Sequence, residues 1–370
     1  MHIAIVGMYP AHADQIFEGI MRVTASLAEA FAALPDTEVT VLTAHRIRDM
    51  LKKTVIRKKR NLTIKKMNYL TYIFHLLRKD LYDVIHIHGV SLFTVLSLLY
   101  QLRNRQNRNT VYTSHGLVVM EKNLGYRYSV WMVLFEKLLI RFSHLITTVS
   151  AGTKGFILKY YSVPEKKVTV IGNGVDSDVF TPVRTINKNK SSHNQILFVG
   201  TLLPVKGLDF LFTTIQNIHH SFTLNVVGKD TPYFNMLRLK YPSLFRQKKV
   251  LFHGAKSQDE LKKMYTFCAF LILPSFYDQY PQVVLEAQAM GKPVILSDRI
   301  GSSDLIQQGR NGYVVSYGNH EELKKRIIYL IEHPLKCRQM GQFARITAEQ
   351  NSWKKIALKY RQFFPILNKE

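Results

Sequence analysis

The chain has little that would staple a small secreted fold and little that would carry it through a bilayer. Only two of its 370 residues are cysteine, Cys268 and Cys337, so a disulfide framework is not expected and a reducing compartment suits it. Its longer unbroken apolar runs, such as Val130–Phe135 and Phe267–Leu273, fall well short of the roughly 20 residues a membrane-spanning helix needs. The opening MHIAIVGMYP reads as strand and turn with no basic n-region, so a signal peptide is not expected. Acid is also scarce: 26 Asp and Glu stand against 51 Lys and Arg, leaving a net charge of +25. That imbalance calls for an anionic partner, whether nucleic acid, phospholipid or a phosphorylated substrate.

The charge is unevenly placed. Arg46–Lys66, RIRDMLKKTVIRKKRNLTIKK, holds ten Lys or Arg and one acid, Asp49. MNYLTYIFHLLRK (Met67–Lys79) follows at once, dense in aromatics and leucine. A basic strip beside such a run has the composition of an interfacial membrane contact. Nucleic acid is the competing reading of the same charge, and no RNA-binding motif accompanies it. A charge run is also often no more than a solvated face.

Short β-rich runs alternate with helical patterns along the chain: His2–Gly7, Glu38–Thr43, Asp83–His88, Thr110–Thr113, Leu145–Val149 and Val168–Ile171 come first, with helices such as Gln15–Ala32 and Ser129–Phe142 between them. Polar TPVRTINKNKSSHN (Thr181–Asn194) interrupts, and a second series follows at Gln195–Val199, Phe222–Val227, Lys249–His253, Ala269–Leu273 and Pro293–Ser297. Strands alternating with helices imply parallel, doubly wound sheets. The fold class is α/β, with two Rossmann-like domains, residues 1–182 and 195–351, joined by a linker. After Asn351 the sequence is helical only.

In such sheets ligands bind beyond the carboxyl ends of the strands. PSFYDQYPQVVLEAQAMGKPVIL (Pro274–Leu296) follows an apolar strand and offers Asp278, Gln279 and Tyr280 before a helix that carries Glu286. Pro281 suits a first helical turn. The N–H groups of Gln282–Val284 together with the helix dipole would then receive an anion such as phosphate. Glu286, one turn on, could accept from a sugar's vicinal hydroxyls. From spacing alone, a surface glutamate with Asp278 as a turn residue is an equal reading. Among other patterns, GTLLPVKG lacks the spacing of an ATP-binding loop, and G-x-S-x-G does not occur. His86 and His88 share one face of a strand at a spacing zinc could use, but no third ligand pattern accompanies them, and a strand-end pair in a parallel sheet is the favoured reading.

PSFYDQYPQVVLEAQAMGKPVI resembles the signature of the retaining glycosyltransferases of family 4, which have the GT-B fold. VTVIGNGVDSDVFTP, ILFVGTLLPVKGLDFLF, VLFHGAKSQDELKKMY, DVIHIHG, VYTSHG and SHLITTVS resemble that family's other motifs, in order and over nearly the whole chain. The resemblance implies two Rossmann-like domains facing across a cleft, with a C-terminal helix (352–370) crossing back to the first, acceptor-binding domain. It implies transfer from a nucleotide sugar with retention of configuration, no metal ion and no cofactor beyond that co-substrate. By the same resemblance Glu286 binds the ribose, Lys206 neutralises the leaving diphosphate, His115 contacts the donor sugar near the reacting carbon, and Gly19 belongs to a glycine-rich loop. Asp278 stands where the family has Glu, Thr201 where it has Arg beside Lys206, and Glu18 where it has the first glycine of a pair. Asp278, Gln279, Tyr280, Pro281, Gln282 and Val283 complete the expected donor site.

The resulting expectation is a glycosyltransferase working on a lipid-linked or cell-surface glycan acceptor, cytoplasmic and peripheral on an anionic membrane through Arg46–Lys79, with no nucleic-acid partner. A nucleotide-sugar epimerase or hydrolase of the same fold, or a non-catalytic membrane- or nucleic-acid-binding relative, are the alternatives.

Overall fold

A computed structural model describes residues 1–10, 19–45, 53–76, 82–103, 109–182 and 193–364. The chain forms two compact units, Met1–Gly174 with Trp353–Glu370, and Val175–Ser352. The first expected boundary, at 182, therefore moves: Val175–Pro182 belongs to the second unit. Within that unit, Arg345 donates to the carbonyls of Ser177, Phe180 and Ala289 and ties the segment down.

Among the described residues the first unit is an eight-stranded sheet in the order β3-β4-β2-β1-β5-β6-β7-β8. Its strands are β1 (His2–Val6), β2 (Glu38–Ala44), β3 (Val55–Lys59), β4 (Leu62–Met67), β5 (Val84–His88), β6 (Thr110–Ser114), β7 (Leu145–Thr148) and β8 (Val168–Val170). Successive side chains of a strand point to opposite faces, and β1 shows both faces covered. Ile3 and Ile5 enter a core with the helix Gly19–Ala32 and the C-terminal helix Trp353–Phe363. Ala4 and Val6 enter the other core, with the helices Tyr69–Leu76, Leu92–Arg103 and Val130–Phe142. A strand buried on both faces has no polar alternation to display, which is why these runs read as nearly continuous apolar sequence.

The basic strip departs from a plain charged face. Within its described part, Val55–Lys59 pairs antiparallel with Leu62–Met67, across a turn at Arg60, whose φ is 49°. All five residues of β3 are exposed. Sequence reading missed both strands because lysine and arginine mask the period-2 pattern. Cations on an edge strand also discourage pairing with another chain.

Tyr360, from the C-terminal helix, reaches the sheet, where its hydroxyl lies 3.3 Å from Thr113 Oγ1 and 3.4 Å from Thr147 Oγ1. Thr113 Oγ1 also bonds His86 Nε2 at 2.6 Å. His86 is fully buried, and desolvation pulls its pKa from 6.5 down to about 3, with His115 adding to the fall. The folded value lies below the unfolded one. Stability is therefore complete above pH 6.5 and is lost as acid lets the unfolded chain take a proton that folded His86 refuses.

The second unit is a six-stranded parallel sheet in the order β11-β10-β9-β12-β13-β14. The strands are β9 (Gln195–Val199), β10 (Thr223–Val227), β11 (Val250–Phe252), β12 (Phe270–Leu273), β13 (Val294–Ser297) and β14 (Gly312–Val315). Sequence reading left out β14, a four-residue strand opening on glycine. Counted from β9, the order is 3-2-1-4-5-6, so the direction of winding reverses between β9 and β12. That switch point opens a crevice where ligands bind in doubly wound sheets.

The His86 linkage yields a slope. Between pH 7 and pH 5, unfolding free energy from chemical denaturation should fall by about 2 kcal/mol more for wild type than for His86→Asn. Equal slopes for the two proteins would remove His86 from the acid sensitivity.

Candidate functional site

In the second unit the expected donor residues converge on the switch point. Thr201 leaves β9, and the single turn Pro204–Lys206 follows. Gly207 closes that turn at φ +72°, and a Cβ there would lie 1.9 Å from the carbonyl oxygen of Pro274, just after β12. Only glycine permits both the left-handed backbone and the approach. The two loops are laced together, since Phe276 N–H donates to Val205 O at 2.8 Å. The far side is held too, with Gly301 N–H donating to Asp278 O at 2.8 Å. Lys206 and Asp278, 72 residues apart in sequence, meet here, and Lys206 Nζ donates to Asp278 Oδ2 in an ion pair whose side chains are less than one-fifth exposed.

The rest of the stretch fits the expectation in part. Asp278 and Gln279 are partly open, and Gln279 Nε2 donates to Tyr277 Oη. Tyr280 is not presented to solvent as expected: it is buried, and burial raises its pKa. Pro281 takes the N-cap position, and the helix runs Gln282–Ala289. The Val284 N–H is already used, donating to Pro281 O at 3.2 Å, so the expected anion site narrows to Gln282 and Val283 at the first turn. The surface reading of Glu286 fails. Its side chain is 1% exposed and accepts from Tyr265 Oη at 3.1 Å. A carboxylate is kept in such a place only with partners.

Thr201 is exposed, and sequence reading left open what takes the place of an arginine there. A lysine follows the neighbouring strand. Val227 of β10 pairs with Val199 of β9. A Cβ on Gly228 would stand 2.1 Å from Gly200 O and 2.9 Å from Leu202 Cδ2. Thr231 Oγ1 donates to Leu202 O at 2.6 Å. Lys229 lies between these two anchors, follows Val227 by two residues as Thr201 follows Val199, and is exposed. Its neighbour Asp230 is engaged by Arg238 at 3.5 Å. Sequence reading passed over Lys229 because the juxtaposition exists only across two strands.

In the first unit His115 follows β6. It is partly exposed, and its Nε2 lies 2.8 Å from Nδ1 of His88, the last residue of β5. Desolvation lowers its pKa from 6.5 to about 4, so the ring is neutral near pH 7. The backbone beyond it is pinned by Glu136, a fully buried carboxylate that accepts from Val118 N–H at 2.7 Å, Val119 N–H at 3.3 Å and Tyr161 Oη at 2.6 Å. Burial raises the pKa of Glu136, offset in part by those bonds. Sequence reading missed it, although an acid between Phe135 and Leu139 on an apolar helix was a usable signal. Gly19 opens its helix in open space, with nothing within 4 Å of where a Cβ would stand. The rest of its expected loop, Glu18 included, lies outside the described residues. The described residues hold no group of three or more His, Cys, Asp or Glu placed to take a metal ion. His86 and His88 lie on β5 with their rings 4.2 Å apart.

The family model "Glycosyltransferase Family 4" matches residues 17–179, and "Glycosyl transferases group 1" matches residues 180–347. An uncharacterized glycosyltransferase of Methanocaldococcus jannaschii is 26% identical over 288 residues, 77% of this chain and 76% of its own length. The UDP-Gal:alpha-D-GlcNAc-diphosphoundecaprenol alpha-1,3-galactosyltransferase of Escherichia coli is 25% identical over 269 residues, 68% of this chain and 67% of its own length. Among solved structures, a glycosyltransferase of Rickettsia africae superposes with a TM-score of 0.78 at 19% identity, covering 100% of this chain and 99% of its own. Anabaena HepE in complex with UDP gives 0.74 at 17%, covering 99% of each. These likenesses show the two-unit architecture of GT-B glycosyltransferases. With its two halves matched in series by the two family models, the chain belongs to the glycosyltransferases of family 4.

Proposed function

We propose that the chain transfers a sugar from a nucleotide-sugar donor, with retention of configuration and without a metal ion, to a lipid-linked or cell-surface glycan acceptor. The observation that carries this reading is the convergence of Lys206, Asp278 and the Glu286 helix on the switch point of the second sheet. A leaving nucleoside diphosphate needs its developing charge met by preorganised donors. Lys206 is held in place by Asp278, Lys229 is the second cation, and the N–H groups of Gln282 and Val283 extend the cradle. Glu286, one oxygen fixed by Tyr265, takes the ribose hydroxyls. Asp278 keeps its other carboxylate oxygen for a hydroxyl of the donor sugar. The transition state resembles an oxocarbenium ion, and the departing phosphate oxygen takes the acceptor's proton, so no strong protein base is needed. Anabaena HepE, solved with UDP, and the Escherichia coli galactosyltransferase with its diphosphoundecaprenol acceptor support a nucleotide donor and a membrane-borne acceptor.

A peripheral site on an anionic, cytoplasm-facing membrane is part of the same proposal. No helix among the described residues is long and apolar enough to cross a membrane. Exposed Ile56 on β3, and Leu70, Ile73 and Phe74 on the helix after β4, lie close in sequence to exposed Arg57, Lys58, Lys59 and Arg60. Arg46–Lys52 and Leu77–Lys79 of the expected strip lie outside the described residues. Each cation near such a surface contributes about 1 kcal/mol, and inserted apolar area adds a share that salt does not screen.

Three measurements test these readings. With UDP-, GDP- and ADP-sugars offered with and without membrane extract, Lys206→Ala and Glu286→Gln should each lower kcat/KM by about 10²-fold or more while the circular dichroism spectrum stays that of wild type. Lys229→Ala should weaken nucleoside diphosphate binding, and Thr201→Arg should restore it. Wild-type kcat/KM in a folded Lys206 or Glu286 variant would displace the donor site, and weaker binding by Thr201→Arg would show that space already filled. For the membrane, wild type should sediment with phosphatidylglycerol vesicles, weakly with neutral ones, and be partly released by salt. Changing Lys53, Arg57, Lys58, Lys59 and Arg60 to Ser should abolish most of that binding, and equal sedimentation would leave a soluble acceptor as the better reading.

A further inference from the structure

His88 ends β5 at 2% exposure, its ring lies nearly parallel to that of His115 with centroids 5.1 Å apart and planes 18° apart, and Nδ1 meets His115 Nε2 at 2.8 Å. We propose that His88 is a positioning residue that fixes the tautomer of His115, donating its Nδ1–H to His115 Nε2 and so placing the proton of His115 on Nδ1.

Desolvation lowers the pKa of both rings, so each carries one proton near neutral pH. A hydrogen bond between them requires a proton on one facing nitrogen and a lone pair on the other, which leaves two arrangements. In the first, His88 donates from Nδ1, its Nε2 is a bare lone pair, and His115 carries its proton on Nδ1. In the second, His115 donates from Nε2, and the proton of His88 must stand on Nε2. That atom is buried and has no hydrogen-bond partner among the described residues. An N–H orphaned in the interior is rarer than an under-satisfied acceptor, so the first arrangement holds. It also needs His88, because a free neutral histidine ring prefers its proton on Nε2. His86, packed against His88 on the same strand face, places Nε2 2.6 Å from Thr113 Oγ1, and no hydrogen bond joins it to His88 among the described residues.

The consequence, which alone rests on the glycosyltransferase reading, is that His115 offers substrate a hydrogen-bond donor, its Nδ1–H. A neutral ring in that tautomer has its only lone pair turned to His88. It can orient a substrate oxygen atom and has no lone pair free to take a proton.

A long-range ¹H–¹⁵N correlation spectrum of the whole chain, labelled at histidine, reads the tautomer at neutral pH without turnover. His115 should appear with its proton on Nδ1 and Nε2 as acceptor. His88→Leu should move His115 toward the Nε2–H form and lower kcat/KM for the donor about tenfold, the value of one misdirected hydrogen bond. His88→Asn, whose carboxamide nitrogen stands near the position of Nδ1, should restore both. A wild-type His115 protonated on Nε2, or on both nitrogens, would overturn the assignment. An unchanged His115 tautomer in folded His88→Leu would overturn the role of His88. Should the leucine variant fail to fold, the wild-type and asparagine spectra still decide. A chain that turns over no nucleotide sugar yet shows the Nδ1–H form would end the glycosyltransferase reading and leave the tautomer assignment standing.

Discussion

The reversal of winding between β9 and β12 is the constraint on which the second unit depends. In a parallel sheet, crossovers on one side of the first strand cover one face and those on the other side cover the opposite face, so the loops leaving the two central strands part and leave a crevice between them. Lys206, Asp278 and the Glu286 helix are brought together by that event: the Lys206 turn follows one central strand and Asp278 with its helix follows the other. Gly207 then brings the two loops into contact, because a side chain there would collide with Pro274. The Lys206–Asp278 pair is a result of this topology. Removing either partner should disturb the geometry of the other as well as its own chemistry.

The first unit solves a different problem, that of keeping polar groups inside a sheet buried on both faces. His86, Thr113, Thr147 and Tyr360 form one connected set that ties the C-terminal helix to the sheet. Glu136 forms another and fixes the backbone just beyond His115. Burial makes each of these groups depend on its partners. A candidate ligand-facing histidine thus sits at the edge of a neutral, hydrogen-bonded interior, held by His88 on one side and by a pinned loop on the other.

Much of this was legible in the sequence because the strands of a doubly wound sheet are apolar runs separated by helical patterns, and because the stretch around Asp278 and Glu286 carries turn and helix-start chemistry that reads locally. The edge strands β3 and β4 were not legible, since their cations hide the alternation that would mark them. The burial of Tyr280 and Glu286 was not legible either, because it depends on packing against elements distant in sequence, Tyr265 among them. Lys229 shows the same limit: it gains meaning only when β9 and β10 are set side by side in register. Gly19 is the reverse case, a residue singled out by resemblance for which the described structure supplies no steric need.

The most direct test of the central claim is hydrogen–deuterium exchange of the whole chain with UDP, GDP and ADP offered separately. At least one nucleotide should slow exchange in both Thr201–Gly207 and Phe276–Val283, the two loops that leave the central strands of the second sheet. Protection confined to the first unit, or none from any of the three at saturating concentration, would contradict a nucleotide-sugar site at the switch point.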